Sequence, residues 1–192
     1  MNIILTDAQY RLLTAFSRSS KVEQSAVLRV RVDGDDILFS HIVQSTGDEI
    51  VSATKKNITF DTKVYLTKTL YSMIRSENGV YVQFHTHPGF SSNAALSSED
   101  EALLQYLQEL SGRVTEIHGT PITIIEGVIT NYEAAFYSYD CQSNTVNRLP
   151  LFVDGEEKVP LFEKNLLQVA KDSFTKGFQK GIEKTHIFTN KK

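Results

Sequence analysis

The sequence predicts an α/β fold in which a mixed β-sheet is flanked by helices. Two patterns support this prediction. Some segments alternate between apolar and polar residues, which is typical of strands, and others place apolar residues three or four positions apart, which is typical of helices. Hairpins and helices follow one another along the chain, an order that argues for a sheet covered by helices. With 192 residues, the chain is long enough for one main domain with a proper core.

The first part of the chain is predicted to form a helix, a hairpin and a second helix. Thr6 or Asp7 can cap the first helix, and an Asp-Gly turn joins the two hairpin strands. Asn78 and Gly79 end the second helix. The predicted elements are a helix within 4–17, strands at 22–32 and 37–44, short strand pieces at 50–53 and 58–60, and a helix at 61–75.

The second part is predicted to hold a central strand, a helix and three further strands. Ser111 and Gly112 are expected to end that helix. The predicted elements are a strand at 80–84, a loop at 89–95, a helix from residue 97 to 110, strands at 114–118, 122–129 and 134–139, an irregular segment at 143–159 and a helix at about 161–184. We therefore predict a main domain over residues 1–140 and a C-terminal extension, irregular then helical, over 141–192.

Composition and charge exclude several classes of protein. The net charge is −3 and no long basic block occurs, which disfavours nucleic acid as a partner. No run of about 20 apolar residues is present, and the N-terminus lacks the pattern of a secretion signal, so neither a membrane span nor export is expected. Cys141 is the only cysteine, which fits a reducing, cytoplasmic location. A metal site built from several cysteines is thereby excluded.

A candidate metal motif lies where the central strand ends. His85 and His87 are two positions apart, so their side chains point to the same face of a strand. Pro88 follows and stops a central strand, because proline has no N–H. A short polar loop leads to Ser97 and Asp100 at the start of the next helix, where a carboxylate can turn back to the histidines. Two histidines and one aspartate leave the fourth position of a tetrahedral zinc ion open, as in catalytic zinc sites.

This combination resembles the JAMM (JAB/MPN) metalloprotease family. The resemblance covers residues 4–139 and implies a curved mixed sheet, similar in architecture to deaminases, that binds Zn²⁺ through His85, His87 and Asp100. It implies that Glu23, just after the first helix, is the general acid/base, and that Ser97 stabilises the tetrahedral intermediate. Glu49 is the fallback for the base.

The sequence departs from the family pattern in one place. The loop before Ser97 is about two residues longer than the commonest family spacing. Glu99 or Glu101 could therefore be the third ligand in a shifted register, with Ser98 and Glu101 as the nearest rival pair. Three other histidines, at positions 41, 118 and 186, have no companions at ligand spacing and are interpreted as ordinary structural or surface residues.

The resemblance implies a zinc-dependent peptidase that cuts peptide or isopeptide bonds at the C-terminus of a ubiquitin-like protein. The compact size favours a prokaryotic or phage member of the family. Two alternatives remain open: a non-catalytic MPN scaffold module, and a metal-dependent amidohydrolase or deaminase-like enzyme acting on a small molecule. The C-terminal helix is expected to pack on the domain, and a homodimer or partner-protein contact is the alternative.

Overall fold

The candidate site lies on a long mixed sheet. The computed structural model describes residues 1–44, 49–54, 58–76, 79–89 and 93–159, and these contain three helices and eleven strands. The helices are α1 (Asp7–Arg18), α2 (Thr62–Ile74) and α3 (Ser98–His118). The strands are β1 (Asn2–Leu5), β2 (Ser25–Asp33), β3 (Asp36–Gln44), β4 (Ile50–Ala53), β5 (Ile58–Phe60), β6 (Val80–His87), β7 (Thr123–Thr130), β8 (Ala134–Asp140), β9 (Thr145–Leu149), β10 (Leu151–Val153) and β11 (Glu156–Glu157).

Nine of these strands pair in the order β11-β10-β1-β3-β2-β6-β7-β8-β9, and β4 pairs with β5 separately. β6 lies near the middle, antiparallel to β2 and parallel to β7. The parallel step from β6 to β7 needs a crossover, which α3 supplies. This confirms the predicted α/β class with a curled mixed sheet.

The two faces of β6 build two different cores. Phe84 packs in one cluster with Leu13 of α1, whereas Tyr81 packs in a second cluster with Leu107 of α3. Successive strand residues point to opposite faces, so α1 covers one face of the sheet and α3 the other. The side chain of Phe84 has no exposed surface, and burying a side chain of that size contributes about 1.5–3 kcal/mol. His85 and His87 consequently share the α3 face with Tyr81.

Helix α3 is longer than predicted. The sequence analysis ended it at residue 110 and placed a strand at 114–118, and both statements are wrong. Gly112 lies inside the helix, and Val114 of the same helix is buried in the second core cluster. The helix ends at Gly119, whose φ of +78° is the left-handed conformation that favours glycine. Burial of Val114 outweighs the cost of about 1 kcal/mol for an internal glycine.

The ends of the described chain also differ from the prediction. Residues 2–5 form β1, which was not predicted, whereas the first helix starts at Asp7 with Thr6 as its cap, as one of the two predicted caps required. The segment 143–159 is not irregular, because β9 pairs with β8, and β10 runs parallel to β1. The latter pairing joins distant parts of the chain, which a local pattern does not reveal.

Residues Met1–Lys158 form one compact unit. The predicted division at residue 140 falls between β8 and β9, which belong to the same sheet; as a functional boundary it stays a prediction. The predicted C-terminal helix lies outside the described residues. Among the helices that the structure describes, none is long and apolar enough to cross a bilayer.

Candidate metal centre

The two histidines meet at the end of β6. The Nε2 atoms of His85 and His87 lie 3.1 Å apart, and His87 is the last residue of the strand. The prediction that both imidazoles face the same way is confirmed. Thr86 between them points to the other face, where it has no exposed surface and its hydroxyl accepts a hydrogen bond from the backbone N–H of Gln24 at 2.9 Å.

The carboxylate of Asp100 approaches this pair from the first turn of α3. Its Oδ2 atom lies 3.5 Å from His85 Nε2. Ser97 caps the helix: its hydroxyl donates to Asp100 Oδ2 at 2.7 Å and accepts from the Asp100 backbone N–H at 3.2 Å. The Ser97 backbone N–H also donates to Oδ2, at 2.8 Å. The Asp100 side chain is therefore both a member of the capping box and the candidate ligand. Its hydrogen bonds with Ser97 hold the carboxylate in place.

The geometry fits a small divalent ion. Ligand atoms of His85, His87 and Asp100 all lie within 4.8 Å of one another. Zinc bonds of about 2.0–2.1 Å in a tetrahedron put neighbouring ligand atoms about 3.3 Å apart. The distances of 3.1 and 3.5 Å from His85 Nε2 bracket that value. Two nitrogens and one carboxylate oxygen could thus hold a metal ion.

Glu23 lies beside this cluster and lines the same cavity. It is 5% exposed, and its Oε1 atom is 4.0 Å from His87 Nε2. Its position is set by the backbone: its N–H donates to Thr54 O at 2.7 Å, and Ser25, two residues on, pairs with His85 across the β2–β6 ladder. Burial raises the pKa of Glu23, and the charge of His85 opposes that shift.

The ionisable groups are strongly coupled in the metal-free protein. Burial alone would lower the pKa of His85, but its hydrogen bonds to Asp100 and Glu126, and their charges, raise it to about 10. The pKa of His87 is lowered by burial and by the charge of His85. Although burial opposes it, the interaction with His85 and the hydrogen bonds from Ser97 hold the pKa of Asp100 well below its usual range. In the metal-free protein the positive charge of protonated His85 therefore offsets the nearby carboxylates, as a bound cation would.

The sequence analysis missed Glu126. This carboxyl group lies on β7, 5% exposed, and its Oε1 accepts a hydrogen bond from His85 Nδ1 at 2.8 Å. Burial raises its pKa, and the interaction with His85 opposes that shift. Histidine ligands commonly donate their second N–H to such a carboxylate, which orients the ring. The indication available in the sequence was a single acidic residue, Glu126, inside the mostly apolar run of residues 122–129.

The loop before α3 supports the other histidine. His87 Nδ1 lies 3.2 Å from the carbonyl oxygen of Asn93, an acceptor that favours a proton on Nδ1. The next residue, Ala94, is held on both sides, because its N–H donates to Glu133 Oε1 at 3.1 Å and its carbonyl accepts from Tyr137 OH at 2.6 Å. Both imidazoles therefore direct Nε2 towards the same point, in spite of the longer loop.

An open cleft of about 490 Å³ lies over these groups. Its lining includes the apolar side chains of Ile58 and Phe60 of β5 and Leu103 of α3. Phe60 stacks on Tyr65 of α2 at 4.5 Å between ring centroids. The candidate metal ligands and Glu23 line the same cleft.

The rival acids do not take the place of Asp100 or Glu23. Glu99 and Glu101 are exposed residues of the first turn of α3, and Glu99 lines the cleft. Glu49 is buried, lines a separate cavity and pairs with Lys68 at 3.4 Å.

His41, the remaining histidine whose side chain the structure describes, does not line the cleft. His41 is exposed and lies 3.2 Å from the hydroxyl of Ser40. The side chain of His118 and all of His186 lie outside what the structure describes.

Comparison with known proteins adds little to this picture. No protein-family model matches the sequence, and a search of curated proteins found no match. Among solved structures, the solution structure of protein DSY2949 from Desulfitobacterium hafniense is similar, with a TM-score of 0.49 and 19% identity. The likeness covers 80% of this chain and 94% of that one.

Proposed function

We propose that this protein is a zinc-dependent peptidase of the JAMM type. The observation that carries the proposal is the convergence of His85, His87 and Asp100 at the edge of a cleft that also holds Glu23. These side chains come from β6, from α3 and from the segment before β2, so the fold brings two imidazoles and two carboxylates together from separate elements. The resemblance in motif order leads to the same assignment.

Zinc held by His85, His87 and Asp100 would lower the pKa of an attacking water to about 7 and polarise the scissile carbonyl. Glu23 would take the proton from that water and later deliver it to the leaving amine. A buried carboxyl group with a raised pKa suits both halves of that task. Ser97, whose hydroxyl lies beside Asp100, would hold the ligand and, by turning, donate to the developing oxyanion.

The proposed substrate is an extended peptide tail at the C-terminus of a ubiquitin-like protein, joined by a peptide or isopeptide bond. The resemblance supplies this substrate class. The cleft is compatible with it, because it is lined by apolar side chains as well as by the candidate metal ligands and can accommodate an extended chain.

Cleavage assays with three probes test the proposal. The zinc-loaded full chain is incubated with a linear ubiquitin-like fusion, an isopeptide-linked conjugate and a set of small acyl amides, beside His85→Ala. We expect bound zinc and cleavage of at least one ubiquitin-like probe for the wild type, and neither for the variant. A wild type that binds no zinc would indicate a scaffold module, and turnover of the small amides alone would indicate an amidohydrolase. Equal cleavage by variant and wild type would end the proposed mechanism.

A further inference from the structure

A chain of buried hydrogen bonds runs from two tyrosines to the back of His85. Tyr65 OH and Tyr81 OH lie 3.0 and 3.2 Å from Gln83 Oε1. Gln83 Nε2 lies 2.6 Å from Glu126 Oε2, and Glu126 Oε1 lies 2.8 Å from His85 Nδ1. Each of these five residues is less than 9% exposed. The chain therefore links the core under α2 to the metal-facing ring without passing through solvent.

The donors and acceptors in this chain have one consistent direction. A carbonyl oxygen cannot donate, so both tyrosine hydroxyls donate to Gln83 Oε1. That contact turns the amide so that its NH₂ faces Glu126. The Glu126 carboxylate then accepts from Gln83 on one oxygen and from His85 Nδ1–H on the other. With its proton on Nδ1, His85 presents the lone pair of Nε2 to the point shared with His87.

We propose that Gln83 is a positioning residue for the metal centre: it holds the Glu126 carboxylate as an acceptor on both sides and thereby sets the tautomer and ring orientation of His85. The proposal rests on the metal site of the proposed function. Gln83 itself does not contact the ion. It acts through the hydrogen bonds from Gln83 to Glu126 and from His85 to Glu126. The β6–β7 register pairs Gln83 with Glu126 and so places these two residues side by side.

Substituting Gln83 by methionine tests this role. Methionine has a similar length and no hydrogen-bond donor, so the variant removes the contact to Glu126 while it fills the space. Loss of a partner behind a metal ligand lowers metal affinity by about 10–100-fold. Since Gln83 acts one bond further away, we expect a loss of about tenfold, at the lower end of that range.

The matched control is Gln108→Met. Gln108 also makes amide hydrogen bonds inside the domain: its Nε2 donates to Ile122 O at 3.0 Å, and its Oε1 accepts from Ile124 N–H at 2.8 Å. These bonds tie α3 to β7 and lead to no candidate ligand. The control therefore carries a comparable structural cost, and we expect its zinc affinity to stay within about twofold of the wild type.

Two readouts decide the question. Zinc affinity is measured by competition with a chromophoric chelator, and the Nδ1–H resonance of His85 is followed by proton NMR in the zinc-loaded protein. We expect Gln83→Met to weaken zinc binding and to shift or broaden that resonance, and Gln108→Met to do neither. Unchanged affinity and an unchanged resonance in Gln83→Met overturn the inference and leave the proposed function intact. A wild type that binds no zinc overturns both.

A second variant tests the same role if Gln83→Met does not fold. The double variant Tyr65→Phe, Tyr81→Phe removes both donors that orient the amide, and Tyr10→Phe, which removes a 3.2 Å bond to Tyr132 O, is its control. We expect a several-fold loss of zinc affinity in the double variant alone. Equal affinity in the double variant, the control and the wild type overturns the inference.

Discussion

Replacing Glu23 by glutamine separates proton transfer from metal binding. The amide keeps the shape of the side chain and cannot take a proton from water. A positioned general base contributes about 10²–10⁴-fold, or about 2.7–5.5 kcal/mol of barrier. Glu23 Oε1 lies 4.0 Å from the nearest imidazole nitrogen, farther than the spacing of about 3.3 Å expected between zinc ligands. We therefore expect kcat to fall by about 10²–10⁴-fold. Because Glu23 is too far away to be a zinc ligand, we expect zinc affinity to change by less than about tenfold.

The assay measures kcat, KM and zinc content of each variant on the same ubiquitin-like fusion. Glu49→Gln is the matched control, because Glu49 is a similarly buried glutamate and was the second candidate for the base. Its substitution is expected to cost stability through the contact with Lys68 and to leave kcat within about threefold of the wild type. A Glu23→Gln enzyme that retains a third or more of the wild-type kcat would refute the assigned role. So would an equal loss of kcat in Glu49→Gln.

Two further predictions concern the metal ligands. Because the pKa of His85 is raised to about 10 in the metal-free protein and that of His87 is lowered, zinc binding near pH 6.5 must displace about one proton, and affinity should rise with pH towards 10. Calorimetry in buffers of different ionisation enthalpy measures this release, and less than about half a proton would contradict it. Ser97→Ala removes a helix cap, at a cost of about 1 kcal/mol, together with one hydrogen bond to the Asp100 carboxylate. The zinc affinity of Ser97→Ala should therefore fall. The control Asp61→Ala removes the cap of α2; chemical denaturation should show a similar loss of stability, and its zinc affinity should be unchanged. Equal zinc affinity in both variants would contradict the role of Ser97.

The parts of the site that depend on local patterns could be predicted from the sequence. His85 and His87 share a face because a strand alternates, and this is visible within three residues. Asp100 stands three positions after the capping serine, which places its side chain back over the N-terminus of the helix. Alternation in β2, and runs rich in β-branched and aromatic residues elsewhere, likewise identified β2, β3, β6, β7 and β8.

The remaining parts depend on contacts between distant segments. Glu126 is beside His85 because β6 and β7 pair in parallel after the whole of α3, and no local pattern encodes that register. The approach of Glu23 depends on the pairing of Ser25 with His85, and its role came from the resemblance alone. The length of α3 was mistaken because Gly112 is a helix breaker by propensity, and burial of Val114 overrides that propensity.

X-ray absorption at the zinc K-edge tests the central claim most directly. For the zinc-loaded wild type, the account predicts two imidazole nitrogens and oxygen ligands at about 2.0–2.2 Å in a four-coordinate site. His85→Ala should lose the imidazole scattering together with the bound metal. A zinc ion surrounded by oxygen alone, or an unchanged spectrum in His85→Ala, would contradict the claim that His85, His87 and Asp100 form the metal site.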